Sequence, residues 1–533
     1  MSFGKCPECN QENTYYNWCK PCNLKRLQND FNNWTSGNDK IDKFIQDAQL
    51  NVNRNWEVIE WIPYDRFKDV KQIGKGGFGT IHYARWIDGR IDKWDIENQQ
   101  WKRDRKNSEK VALKKFDNFV NFNDVLNEMK LHLKTYINNS LNSIRFYGIT
   151  QDPETHSYIM VLEYAAGGNL REYLKINFND INWNQKLKNL FKLSSHLKNI
   201  HKLDIVHQDF HPGNILSYNF KSDLLISDFG LSKLIGANPN NPEKKNIFGV
   251  LPYIAPEVLS GDEEYTKAAD VYSFGIIAYE MVSGFPPYPD MPHDKDLAMK
   301  ICNGLRPKIP FHTPKLITRM IMRCWDARVT HRPTFEELHA ELEKYYIDYE
   351  NYLWERKNKN SEIVIQIKKA EEFSANQDST NSTTTTPLNY QTHPQAIYTS
   401  RLLNYSKLPK PKNEENFERE LEELIKSTSA LSIGDSGIID LDMKNKNSEI
   451  VIQIKKAEEF SANQDSTNST TTTPLNYQTH PQAIYTSRLL NYSKLPKPKN
   501  EENFERELEE LIKSTSALSI GDSGIIDLDM SNF

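Results

Sequence analysis

The stretch "IGKGGFGTI" at residues 73–81 restricts the possible fold more than any other part of the chain. Gly74, Gly76 and Gly79 form G-x-G-x-x-G, followed one residue later by Ile81. Glycines let backbone amides approach anionic oxygens with no Cβ in the way. Dinucleotide-binding loops share this spacing, but they open a helix. Here "TIHYARW" continues with β-branched and aromatic residues, which predicts a strand–loop–strand hairpin instead.

The next stretches extend that reading. "VALKKF" at 111–116 reads as a strand carrying Lys114, a cation suited to the α- and β-phosphates of a nucleoside triphosphate. Between the strands, the long charged connection "RWIDGRIDKWDIENQQWKRDRKNSEK" reads as a surface loop. "FNDVLNEMKLHLK" predicts a helix that offers Glu128 to Lys114, with Val125, Met129 and His132 near its inward face. "SYIMVLEYAAGGNL" at 157–170 reads as a strand entering a connector. Leu162 is expected at the back of a nucleotide pocket, and Glu163 to Ala165 are expected to offer backbone groups to adenine. Further on, "HQDFHPGN" supplies Asp209 and Asn214, and "SDFG" supplies Asp228. Any one of these residues alone is more often a cap, a turn or surface charge. The ordered set is what carries weight.

In this order the motifs resemble those of the eukaryotic protein kinases, over residues 65–345. The resemblance implies an α+β bilobal fold, with a small β-rich N-lobe and a larger helical C-lobe. It implies a nucleotide site of Ile73, Gly74, Lys75, Gly76, Gly77, Phe78, Gly79, Ile81, Ala112, Lys114, Leu162, Glu163, Ala165, Asn214 and Asp228. Its catalytic set would be Asp209, Lys114, Asn214, Asp228 and Glu128, with Asp209 orienting the acceptor hydroxyl and accepting its proton. Asn214 and Asp228 would hold Mg²⁺ (or Mn²⁺) against the phosphates of ATP.

Two departures from the family pattern matter. Gln208 stands where many protein kinases carry an Arg that receives an activation-segment phosphate. The segment 228–257 has hydroxyls only at Ser232 and Tyr253, so activity independent of activation-loop phosphorylation is expected. The ending "HPGN" resembles small-molecule kinases, but Ala255-Pro256-Glu257, "DVYSFGIIAYEM" with Asp270, and "MIMRCWDARVTHRPTFEEL" resemble the C-lobe of tyrosine kinases and the tyrosine-kinase-like group. Arg332 is expected to pair with Glu257, and Asp270 to anchor the catalytic-loop backbone. Acceptor specificity is weakly written: His211 stands where Ser/Thr kinases place Lys, and Val250 where they place Thr. Overall resemblance places Ser/Thr ahead of Tyr.

At the N-terminus, Cys6, Cys9, Cys19 and Cys22 form C-x₂-C-x₉-C-x₂-C. Each pair can wrap one edge of a tetrahedral thiolate site, so residues 1–22 read as a zinc-ribbon-like module with structural Zn²⁺. Coincidence or redox pairs are the competing readings. With no secretory signal core, reduced thiols and a cytoplasmic or nuclear location are expected. Residues 23–64 read as a linker with one short helix, where Ile41, Phe44, Ile45 and Ala48 form a packing stripe.

Beyond the kinase-like region, residues 357–443 recur letter for letter at 444–530. The identity means a duplication that has not diverged, or a faulty gene model. Each copy contains "STNSTTTTP", and hydrophobic residues make up only 38% of the whole chain with a mean hydropathy of -0.70. Both repeats are therefore expected to be mostly disordered. Within each, "ENFERELEELIKS" sets Phe417, Leu421, Leu424 and Ile425 on one helical face that could dock a partner or its own copy. The net charge of -5 gives no argument for nucleic acid, and no stretch is apolar enough to span a membrane. The expected partners are protein substrates, with docking partners for the cysteine module and the tail helices. The reading is an ATP-dependent protein kinase. The alternatives are a kinase-fold scaffold with little turnover and a small-molecule kinase.

Overall fold

A computed structural model describes residues 3–76, 79–105, 110–116, 122–138, 143–234, 247–262, 264–378, 392–403, 405 and 407–429. All of these lie within one compact unit, Met1–Gly437. Gly77, Phe78, the middle of the activation segment and the second repeat copy fall outside the described residues.

The N-lobe strands are β1 (Glu60–Trp61), β2 (Phe67–Gly76), β3 (Gly79–Trp86), β4 (Arg90–Asp95), β5 (Gln100–Asp104), β6 (Lys110–Phe116), β7 (Phe146–Gln151) and β8 (Tyr158–Glu163). Six of them form a sheet in the order β1-β7-β8-β6-β3-β2, antiparallel except for β1 against β7. The glycine stretch is the expected hairpin: Gly74 faces Ile81 and Gly76 faces Gly79 across β2 and β3. A Cβ on Gly79 would run into the Lys115 carbonyl oxygen, so close backbone approach requires glycine there.

The charged insert is not a loop. It folds as the β4–β5 hairpin, with Trp94 facing Trp101 in register. Its apolar residues explain the difference. Ile91 is buried with Trp18, Leu27, Val52 and Val58, and Trp18 stacks on Trp101 at 5.9 Å between ring centroids. The hairpin is thus the seat of the cysteine module. The segment 23–64 is also more than a connector. Helix Asp39–Gln49, capped by the Asn38 side chain, sends Ile41, Ile45 and Ala48 into the N-lobe core beside Met129 and Phe146.

The C-lobe is built on helices Trp183–Lys202 and Lys267–Ser283. The second is apolar nearly all round and is buried from Ala269 to Ser283, as expected of a helix at a lobe's centre. Arg332 donates to both carboxylate oxygens of Glu257 at 2.7 Å, the expected buried pair. The first repeat copy adds to this lobe. Helix Glu362–Asp378 buries Ile363, Val364, Ile367 and Ala370 in the C-lobe core. Helix Phe417–Ser429 lies against helix Lys315–Cys324 with Phe417 buried and Leu421 and Leu424 packed against the C-lobe core, so most of its apolar face docks on its own chain while Ile425 stays exposed.

Candidate active site

Between the lobes lies a cleft of ≈ 720 Å³. Ile73, Gly74, Lys75, Gly76, Ile81, Ala112, Lys114, Leu162, Glu163, Ala165, Asn214 and Asp228 all line it. Every expected nucleotide residue among the described ones is thereby gathered except Gly79, which sits on the adjoining strand. A larger hollow of ≈ 990 Å³ under the tail helices contains none of them.

Lys114 reaches the cleft because β6 pairs on both sides, which fixes its register opposite Ile81 of β3 and Met160 of β8. Its Nζ donates to Glu128 Oε1 at 2.5 Å and to Asp228 Oδ1 at 2.7 Å. Glu128 comes from helix Phe122–Asn138, whose Val125 and Met129 anchor that face in the N-lobe core. Burial alone would discharge Lys114, but the Asp228 and Glu128 carboxylates hold it protonated. Burial pushes the Glu128 carboxyl up to about 7. Burial also opposes charge on Asp228, yet the adjacent Lys114 ammonium brings it down to about 2. Buried His132 is pushed down to about 3, so it is a neutral ring packed edge-on against Phe229 at 4.8 Å.

The catalytic-loop backbone is held from below. Asp270 accepts from the amides of His207 at 2.8 Å and Gln208 at 3.1 Å, and lies 2.9 Å from His201 Nε2. Gln208 takes a positive φ of 68°, an uncommon backbone conformation stabilised by these bonds. Asn214 Nδ2 donates to the Asp209 carbonyl at 2.9 Å. Burial works against the Asp209 charge, but neighbouring His211 keeps its carboxyl below the ordinary range. His211 Nε2 lies 3.6 Å from Asp209 Oδ1. An ionised carboxylate is therefore favoured beside Asn214 and His211, both of which line the cleft.

Two features of the site had no visible signal in the sequence. Arg171, from the helix after the connector, approaches Glu280 at 3.6 Å and donates to the Tyr253 hydroxyl at 2.7 Å. Ser400, from the first repeat copy, donates its hydroxyl to Asp209 Oδ2.

The cysteines also converge. Their four sulfurs lie within 4.8 Å of one another, with Cys6 to Cys22 at 3.9 Å and Cys9 to Cys19 at 3.4 Å. A tetrahedron with metal–sulfur bonds of about 2.3 Å has edges of roughly 3.8 Å, so the thiolate set fits zinc.

The two lobes, the glycine hairpin and the Lys114–Glu128–Asp228 cluster define a nucleotide-dependent kinase domain. The family model for protein tyrosine and serine/threonine kinases matches residues 67–342, more than half of the chain, and the chain belongs to that family. It is 28% identical over 289 residues to the tyrosine-protein kinase SPK-1 of Girardia tigrina, a match spanning 52% of this chain and 53% of that one. It is 30% identical over 311 residues to the serine/threonine-protein kinase VIK of Arabidopsis thaliana, spanning 54% and 62%. It is 28% identical over 313 residues to the dual specificity protein kinase splA of Dictyostelium discoideum, spanning 56% and 12%. Each match thus spans less than two thirds of the relative's length.

Proposed function

We propose that the chain is an ATP- and Mg²⁺-dependent protein kinase that phosphorylates Ser or Thr hydroxyls. The observation that carries this is the buried Lys114 ammonium, held between Glu128 and Asp228 in the cleft, with the Asp209 carboxylate beside Asn214 and Ser400, which line it. Lys114 binds and orients the α- and β-phosphates, and Glu128 fixes its position. Asp209 aligns the acceptor oxygen and takes its proton. Asn214 and Asp228 offer hard oxygen donors to Mg²⁺, which when bound neutralises phosphate charge.

A serine hydroxyl reaching Asp209 supports Ser/Thr over Tyr, because a tyrosine on the same backbone path would overshoot by a ring. The resemblance to the tyrosine-kinase-like group supports the same choice. Independence of activation-loop phosphorylation rests on burial. Ser232 is 2% exposed and bonded to the His207 carbonyl at 2.9 Å, and Tyr253 is 2% exposed between Arg171 and Glu280. The rest of the segment carries no hydroxyl for Gln208 to read. The four cysteines would bind structural Zn²⁺, closed to catalysis and stabilising the module.

Labelled ATP offered with mixed proteins and a panel of small alcohols tests the substrate class. Label in protein Ser or Thr, lost in Lys114→Ala, is the expected result. Label only in alcohols, or nucleotide binding with no transfer, would overturn the proposal.

A further inference from the structure

The groove beside Asp209 already holds a strand of this chain. Tail strand Arg401–Leu403 pairs antiparallel with Ile247–Gly249 of the activation segment, Ile247 opposite Leu403 and Gly249 opposite Arg401. Upstream of it, Tyr398 covers the Arg171 guanidinium at 4.6 Å, and Arg171 Nη1 donates to its carbonyl at 3.1 Å. The His293 amide donates to the Gln395 carbonyl at 2.9 Å, and its Nδ1 lies 2.9 Å from the Ile397 carbonyl. The segment is therefore fixed on both sides of Ser400. Strand pairing sets which side chain meets the base, since a slip of one residue would turn it to the other face. In this register the Ser400 hydroxyl donates to Asp209 Oδ2 and lies 3.3 Å from His211 Nε2. Simple apolar packing of a tail would not require a hydroxyl at that point.

We infer that Ser400 is a phosphate acceptor of its own catalytic centre, and that residues 392–403 close the groove to other substrates until it is modified. This rests on the protein-kinase reading above. In the step, Ser400 Oγ attacks the γ-phosphorus of ATP. The Oγ–P bond forms as the bond from γ-phosphorus to the β,γ-bridging oxygen breaks. The hydroxyl proton passes to the Asp209 carboxylate, and ADP leaves with the bond's electron pair. The phosphoserine carries about −1.5 to −2 charge beside Asp209, which repels the strand from the groove. Ser487 repeats this acceptor in the identical stretch "AIYTSRLL" of the second copy.

Two measurements on the full chain test the inference. Without nucleotide, hydrogen exchange at Ile247–Gly249 is expected to be slow, and Leu403→Asp should speed it at least about ten-fold by releasing the strand. Unchanged exchange would overturn the docking. With Mg-ATP, phosphosite mapping should find Ser400 modified at a first-order rate that holds across about a hundred-fold dilution, since a tethered acceptor sits at an effective concentration on the order of millimolar. Ser400→Ala should remove that phase. A rate that falls with dilution, or phosphate only at Ser487, overturns the inference. Phosphorylation of an added protein with Ser400 unmodified sinks this inference and leaves the kinase reading standing. No phosphate on any protein sinks both.

Discussion

At the scale of single residues, the cleft holds charges of opposite tendency close together. Lys114 stays charged because two carboxylates face it, whereas Glu128 is the group in the cluster that titrates near neutrality, at about 7. Protonating Glu128 removes one of the two partners that position the ammonium. Asp228, at about 2, and Asp209, below its ordinary range, remain ionised through the same window. We therefore expect kcat/KM for ATP to fall as pH drops through about 7, and the step to vanish in Glu128→Gln. A profile flat down to pH about 5 would contradict this assignment. A second prediction concerns Arg332 and Glu257. Glu257→Ala leaves a guanidinium buried without its carboxylate and should cost about 3–5 kcal/mol in urea unfolding. A loss below about 1 kcal/mol would mean that water or a neighbour takes over the pairing.

At the scale of elements, the sequence was legible where a local pattern and a chemical demand coincide. The glycine hairpin could be read because its flanks are strand-like, and Gly79 sits where backbone closely approaches backbone. That Lys114, Asn214 and Asp228 would share one cleft, with Asp209 bonded to Asn214 beside it, could be read from the order of their motifs. The β4–β5 hairpin was hidden by its charge: acidic and basic residues together outnumber its apolar ones, while Ile91 and Trp101 do the packing. The role of Arg171 was equally hidden, since a lone Arg on a helix has no local mark of its partners, Glu280 and Tyr253. The cysteine module leads to an element-scale prediction. One zinc per chain is expected by metal analysis, and Cys9→Ser with Cys22→Ser should abolish it and expose Trp18, now stacked on Trp101. Zinc retained in that variant, or Trp18 fluorescence unchanged, would count against a four-thiolate site.

At the scale of the whole molecule, the kinase domain is wrapped from both ends. The N-terminal module and helix Asp39–Gln49 brace the N-lobe, and the first repeat copy runs from helix Glu362–Asp378 through the groove to helix Phe417–Ser429. No described helix is long and apolar enough to cross a membrane. The path of that copy was not legible in the sequence, because its polar, Thr-rich composition argues against a core while its contacts depend on a surface that exists only after the C-lobe folds. Lys412 and Asn413 show the principle: they bond the Cys302 and Ala327 backbones and the Asp326 carboxylate, all at 2.7–2.9 Å. Gly304 leaves room for this crossing, since a Cβ there would press on the Glu414 amide at 2.6 Å.

If Asp209 is the base for phosphoryl transfer from ATP to a protein hydroxyl, its carboxylate is needed for transfer and not for holding nucleotide. Single-turnover transfer by Asp209→Asn, measured alongside its affinity for Mg-ATP, tests it most directly. Transfer slowed by about 10²–10⁴-fold, with nucleotide affinity little changed, is the expected result. Transfer at the parent rate would contradict it.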